Sequence, residues 1–445
     1  MMMRNKFVLR FIKLSPPQVL IFVFLALIFI GAALLKIPLA TTQSITLLDA
    51  LFTATSAMTV TGLVVVDTGQ AFTLFGQLII LSLIQLGGLG IMTFAVLIFM
   101  ALGRRIGMKH RLLVQQATNQ SSIGGVINLV KNILIFSLVV ETIGFIILAA
   151  RWVPDMGWQA GAYASFFHSI SAFNNAGFSI WSNSLMDYVG DPVVNIVISF
   201  LFIFGGIGFT VLNDLIRSKS FREMALHSKV MLIGTIAINI IAMFTFFILE
   251  YHNPQTLGNL SLGDKLWGSY FQAVTTRTAG FNSVDIGGIG IDTAFFMFVL
   301  MFIGAGSTST GGGIKLTTAF VITLAVFTFL RGKSDPVIYG RTIRKHIVLK
   351  ALAITIISIM IVYFTIFVLV LTENASFIEI TFEVLSAFGT VGLSMGLTGD
   401  LSTMGRIAII FVMFLGKLGP LTLAFSLAQP DRSNIRYPNE DLYTG

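Results

Sequence analysis

Four stretches of this chain stack on one glycine each: LFTATSAMTVTGLVVVDTG (51–69) on Gly62, SFFHSISAFNNAGFSIWSN (165–183) on Gly177, SYFQAVTTRTAGFNSVDIG (269–287) on Gly280 and ITFEVLSAFGTVGLSMGLT (380–398) on Gly392. Ten residues before each glycine stands an aromatic (Phe52, Phe167, Tyr270, Phe382), and directly after it stands Leu63, Phe178, Phe281 or Leu393. The glycines are 115, 103 and 112 residues apart. Matched motifs at a recurrent period predict one structural unit used four times.

The flanking sequence says in which solvent. The runs VLIFVFLALIFIGAALL and ALAITIISIMIVYFTIFVLVL carry no charge, and about 20 such residues cross a bilayer as helix. Soluble domains are roughly 25% charged; this chain is 11% charged and 55% hydrophobic, with a mean hydropathy of +0.89. There is no cysteine, which excludes disulfides and thiolate metal sites. The basic N-terminus precedes a run without a small-residue cleavage site, so it reads as a retained first span. Segments 1–17, 103–131, 217–229, 331–350 and 429–445 hold 21 of the 28 Lys and Arg residues; with Asp214 at a boundary they hold 6 of the 20 acids. Such an asymmetry puts these segments, and both termini, on the cytoplasmic side of the plasma membrane. The remaining acids leave a negative outer face that concentrates cations.

Between basic segments the chain is too long for one span and returns to its starting side. About 10 to 12 residues precede each repeated glycine, roughly 15–18 Å of helix, half of a hydrocarbon core of about 30 Å. A half-span helix followed by irregular backbone is a re-entrant loop, tolerated at that depth only when buried in protein or lining a water-filled cavity. Its helix C-terminus points inward and favours a cation. Four such loops around an axis can present rings of backbone carbonyls that replace an ion's hydration shell. The expected lining is Val60, Thr61 and Gly62; Asn175, Ala176 and Gly177; Thr278, Ala279 and Gly280; Thr390, Val391 and Gly392.

With its motifs TVTGL, NNAGFS, TRTAGFNS and GTVGLS, the chain resembles the Trk/Ktr/HKT superfamily of potassium transporters, most closely the bacterial Ktr-type membrane subunit, from about residue 17 to 430. The resemblance implies an all-α integral membrane protein of four M1–P-loop–M2 repeats, with eight transmembrane helices and four re-entrant pore helices in a pseudo-fourfold, potassium-channel-like arrangement. The repeats are expected at 18–105 (pore loop 49–66), 127–219 (163–181), 226–331 (266–284) and 346–428 (377–396), with a cytoplasmic tail at 429–445. It further implies K+ as the transported ion, Na+ as a candidate activator, and a homodimer in the lipid membrane. The homodimer would dock on a cytosolic RCK-type, KtrA-like ring of nucleotide-binding subunits. Glycine at all four filter positions goes with potassium preference in that family. No nucleic acid is implicated.

The third repeat carries an exception. Its second span, from about Thr293 to Leu330, would be roughly 57 Å long as one helix, too long for tilt alone. The segment GAGSTSTGGGIK (Gly304, Ala305, Gly306, Ser307, Thr308, Ser309, Thr310, Gly311, Gly312, Gly313, Ile314 and Lys315) breaks it. A nucleotide P-loop is excluded, because glycine occupies position 312 and no soluble strand precedes the segment. A small-residue packing seam and an intramembrane loop beneath the filter remain, and the resemblance implies the loop, with a gating role. Shorter clusters LGGLG (86–90), FGGIG (204–208) and LGKLG (415–419) recur in the other repeats. Lys417 is a charge deep in a span, and the family usually has a basic residue there that limits permeation. Lys315 either acts similarly or snorkels toward the cytoplasm.

Arg277 is expected to brace its loop or pair with a carboxylate such as Asp285. Glu141 reads as hydrogen-bonded between helices or as an ion ligand, and His168 as a packing residue. No metal-ligand spacing or nucleophile–base arrangement supports an enzyme. The competing function is a sodium-coupled secondary symporter with alternating access; such folds usually show two related halves.

Overall fold

The computed structural model describes residues 16–90, 123–419 and 440. The basic N-terminus, most of segment 103–131, the end of the first repeat and nearly all of the 429–445 tail lie outside the described residues. Helices are α1 (Pro16–Leu35), α2 (Leu47–Thr59), α3 (Thr68–Ala71), α4 (Leu74–Gly88), α5 (Ile123–Met156), α6 (Trp158–Phe173), α7 (Pro192–Ile207), α8 (Phe209–Arg217), α9 (Leu226–Glu250), α10 (Leu262–Thr275), α11 (Ile291–Phe302) and α12 (Leu316–Leu330). A two-residue hairpin, β1 (Val337–Ile338) and β2 (Arg341–Thr342), precedes α13 (Lys345–Thr372), α14 (Phe377–Gly389), α15 (Leu397–Asp400) and α16 (Thr403–Leu418).

Among the described residues three helices are long and apolar enough to cross a bilayer: Val130–Met156, Leu226–Glu250 and Lys345–Thr372. Their outer faces expose apolar side chains, including Ile236, Ile240, Phe244 and Ile248 on α9 and Ile359, Tyr363, Phe367 and Leu371 on α13. Such continuous apolar exposure suits lipid. Helix α5 begins at Ile123, so its first turns, with Lys131, occupy part of the segment expected as a basic loop. Pro154 falls near its end.

The short helices α2, α6, α10 and α14 each pack against the preceding long helix of the same unit. Three are started by side chains. Thr46 with Asp49 and Ser376 with Glu379 form capping boxes, and Ser261 accepts from the Asp264 N–H. Units join in cyclic order: α4 packs on α6, α7 on α10, α11 on α14, and α16 back on α2. The apolar cores follow these seams. One joins Phe52 and Leu63 of the first unit to Phe382, Phe388 and Leu393 of the fourth, with Met297 and Met301 of the third. Another joins Phe173 and Phe202 to Phe271 and Phe281.

The break expected in the third unit is present, as α11 ends at Phe302 and α12 starts at Leu316. A second break was not expected. Helices α7 and α8 are bent by 96° at Gly208, whose φ of 105° is open to glycine alone. Third-unit expansion is therefore not the sole interruption; in FGGIG a single glycine suffices.

Candidate functional site

Each short helix ends three to five residues before its repeated glycine. Val60, Asn175 and Thr390, two positions before Gly62, Gly177 and Gly392, have φ of 50°, 57° and 49°. Left-handed backbone costs a non-glycine residue about 1–2 kcal/mol. The helix ends over-determine it. The Thr61 N–H donates to the Ser56 carbonyl at 2.8 Å, Ala176 N–H to Ser171 at 2.9 Å, and Val391 N–H to Ser386 at 2.8 Å. The Gly62 and Gly392 N–H groups each donate to the hydroxyl of that same serine, at 3.1 Å. The third unit departs: Thr278 is not left-handed, and the Ala279 N–H returns to the Thr275 carbonyl at 2.9 Å.

The four glycines form a closed ring. A side chain on Gly62 would strike the Ala176 carbonyl oxygen; on Gly177, that of Ala279; on Gly280, that of Val391; on Gly392, that of Thr61. The sequence-derived lining residues are thus brought together, in chain order, with the carbonyls of Thr61, Ala176, Ala279 and Val391 each turned toward the glycine of the preceding loop. All twelve are buried or half-buried. Among the described residues no donor reaches any of their carbonyl oxygens. Buried carbonyls are nearly always satisfied by protein, water or an ion, so oxygens here without a protein donor can chemically take a cation. No group of three or more His, Cys, Asp or Glu side chains with metal geometry exists among the described residues. Asp285 shares a recess of about 330 Å³ with Gly392 and Ser394.

The 304–315 loop lies directly against this ring. Its backbone is tied to the second unit (Gly306 N–H to Gly206 O, 2.8 Å; Thr310 N–H to Gly205 O, 3.1 Å) and to the fourth (Gly313 N–H to Gly416 O, 3.2 Å). The Thr310 hydroxyl donates to Asn175 Oδ1 at 2.8 Å, Asn175 Nδ2 donates to the Thr278 hydroxyl at 2.8 Å, and the Gly312 N–H donates to the Thr390 hydroxyl at 2.8 Å. These side-chain roles were missed in the sequence, although a signal existed. The residue two before the glycine is polar in the second, third and fourth units, which the loop touches (Asn175, Thr278, Thr390), and is Val60 in the first.

Two lysines grip the loop. Lys315 donates to the Gly311 carbonyl at 2.6 Å, and Lys417 to the neighbouring Thr310 carbonyl. Arg277 donates to the Gly304 carbonyl at 3.3 Å, so it braces the loop's hinge. It does not pair with Asp285, whose carboxylate accepts the Gly287 N–H at 3.0 Å. Behind the second loop Glu141 accepts from Gln85 Nε2 at 3.0 Å and lies 3.4 Å from Asn174 Nδ2, joining three helices. His168 is fully buried and stacked on Trp181, with ring centroids 4.3 Å apart.

Comparison with known proteins identifies the family and the fold. The profile of the TrkH family, described as a cation transport protein, matches residues 15–437. The chain is 58% identical over 438 residues to the Ktr system potassium uptake protein B of Bacillus subtilis, covering 98% of both chains. It is 38% identical to the potassium/sodium uptake protein NtpJ of Enterococcus hirae, covering 97% of this chain and 98% of that one. Among solved structures, the potassium transporter TrkH of Vibrio parahaemolyticus superposes with a TM-score of 0.73 at 19% identity, over 94% of this chain and 86% of that one. The chain belongs to the TrkH family of cation transport proteins, and is a multi-pass membrane protein of helical fold.

Proposed function

We propose that the chain carries K+ into the cell across the plasma membrane through a channel-like pore. The twelve carbonyls of the ring act as the selectivity filter and the 304–315 loop as an intramembrane gate. The observation that carries this reading is the closed ring of glycine–carbonyl contacts whose oxygens receive no protein donor. Such oxygens replace an ion's hydration shell. The name of the Bacillus relative, a potassium uptake protein, supports the choice of ion.

In this reading the four units are M1–P-loop–M2 repeats with the boundaries expected from sequence, giving eight spans, four re-entrant helices and cytoplasmic termini. Lys417, Lys315 and Arg277 hold the gate shut by engaging its carbonyls. The family resemblance points to a homodimer on a cytosolic RCK-type ring of nucleotide-binding subunits; the relative's name, a protein of the "Ktr system", fits a multi-subunit assembly. Na+ is a candidate activator or co-ion, favoured by the potassium/sodium name of the Enterococcus relative. A symporter with alternating access fits less well, because the cyclic packing of four units does not divide into two inverted halves.

The test is growth of a bacterium lacking its own potassium uptake systems at limiting K+. The chain is expected to restore growth, and variants with serine at the four ring glycines are expected not to. Equal growth of the wild type and the serine variants would count against the filter.

A further inference from the structure

All four units contribute to the ring, yet its support is twofold. Nine residues before the repeated glycines stand Thr53, His168, Phe271 and Glu383; two residues after them stand Val64, Ser179, Asn282 and Ser394. In the fourth unit the Ser394 hydroxyl donates to Glu383 Oε2 at 2.7 Å, and accepts the Gly396 N–H at 3.1 Å. In the second unit the Ser179 hydroxyl lies 3.0 Å from His168 Nε2 and accepts the Trp181 N–H at 3.0 Å. His168 Nδ1 is 2.8 Å from the Ala164 carbonyl, which can only accept. In the neutral ring Nδ1 therefore carries the proton, and Nε2 accepts from Ser179 as the carboxylate accepts from Ser394.

The two arrangements match position for position, with different chemical groups. Both acceptors are fully buried. Glu383 has no basic partner among the described residues; its second oxygen takes the Thr398 hydroxyl at 2.5 Å, pinning the start of α15. The other two units lack the device. The Thr53 hydroxyl is buried without a partner among the described residues, and its own unit has Val64 at the serine position; Phe271 offers no acceptor. Since the units follow one another around the ring in chain order, the second and fourth lie diagonally opposite.

We propose that His168 and Glu383 are positioning residues for ion selection, each fixing the outer turn of its loop through the serine two residues past the glycine. Resting on the filter reading, this assigns selectivity to two opposed struts. Each strut sits behind the loop, touches no ion, and sets where the carbonyls of Gly177 and Gly392 stand. A carbonyl ring relaxes toward a smaller ion when its backing is released.

The test uses the full chain in a bacterium lacking potassium uptake. The readout is K+ uptake in rising Na+, scored as the Na+ concentration that halves it. Ser394→Ala and Ser179→Ala are each expected to lower that concentration by roughly two- to tenfold, the span of one lost hydrogen bond, while Ser394→Thr and Ser179→Thr retain it. Glu383→Leu is expected to act like Ser394→Ala, with no further effect when the two are combined. Thr53→Val, at the equivalent slot without a strut, is expected to change nothing. A wild-type Na+ dependence in both serine-to-alanine variants overturns the inference, as does an equal loss in Thr53→Val. A wild-type chain that takes up no K+ overturns the underlying transport reading, and this inference with it.

Discussion

Arg406 and Asp49, 357 positions apart, form an ion pair at 2.6 Å. It joins α16 to α2 and so closes the cycle of four units between the chain's two ends. Arg406 also donates to the Leu401 and Gly399 carbonyls, at 2.9 and 3.0 Å. Losing a charge-assisted bond at a half-buried site costs about 1.5–3 kcal/mol. Arg406→Ala is therefore expected to lower the thermal midpoint of the detergent-solubilised protein by several degrees. An unchanged midpoint would show that the seam is held by α16–α2 packing alone.

Lys417 reaches the gate loop from another unit. Removing about 1.5 kcal/mol from a closed state shifts a two-state gate roughly tenfold. Lys417→Met is expected to raise K+ uptake by up to that factor without altering filter selectivity. Shortening Gly304–Gly313 is expected to raise flux further and weaken regulation. Reduced uptake by a properly inserted Lys417→Met protein would argue that the lysine opens the path.

Thr310 of the 304–315 loop donates a hydrogen bond to Asn175 of the ring, and Asn175 donates in turn to Thr278. Thr310→Val and Asn175→Ala should be non-additive in a double-mutant cycle of uptake rates, with a coupling of about 0.5–1.5 kcal/mol. Additive effects would mean that the loop and the ring move independently.

Gly62 has a φ of 93°, and any side chain on it meets the Ala176 carbonyl. Gly62→Ser combines backbone strain with displacement of a ring oxygen. It is expected to reduce the preference for K+ over Na+ at least about tenfold, as read by ion competition. Gly90, at φ 84° with open space around its Cα, is a control for strain without ring contact.

Glu373, at the C-terminal end of α13, is partly buried, which would raise its pKa; the Ser402 N–H (2.8 Å), the Ser402 hydroxyl (2.6 Å) and Thr372 outweigh that and hold it below its usual value. A depressed carboxylate contributes stability that is complete above its unfolded pKa and is lost as pH falls through the folded one. Below about pH 4 the wild type should therefore destabilise more steeply than Glu373→Gln, read as the slope of the thermal midpoint against pH.

Much of this was legible because the period of the repeat and the reach of a helix are one-dimensional quantities. The matched glycines marked the ring residues, and the length of the run after Thr293 demanded a break where α11 ends. The bend at Gly208 was not legible, since one glycine in an apolar helix is tolerated as often as it breaks one. Arg277 showed its charge without its partner: a guanidinium beside Asp285 in sequence reached Gly304 instead. The polarity of Asn175 and Thr390 was visible, but not that their side chains would face the gate loop while their backbones face the ring.

The order of apolar runs, the fourfold motif and the sidedness of charge are properties of the chain itself, because helix length and hydropathy need no partner to be counted. Which loop meets which is decided only in three dimensions. The ring closes because α16 returns to α2, and the 304–315 loop lies against it because its N–H groups reach the carbonyls of Gly205, Gly206 and Gly416. The diagonal struts at His168 and Glu383 exist only once Ser179 and Ser394 fold back over them. Contacts between segments a hundred residues apart depend on packing that no local pattern encodes.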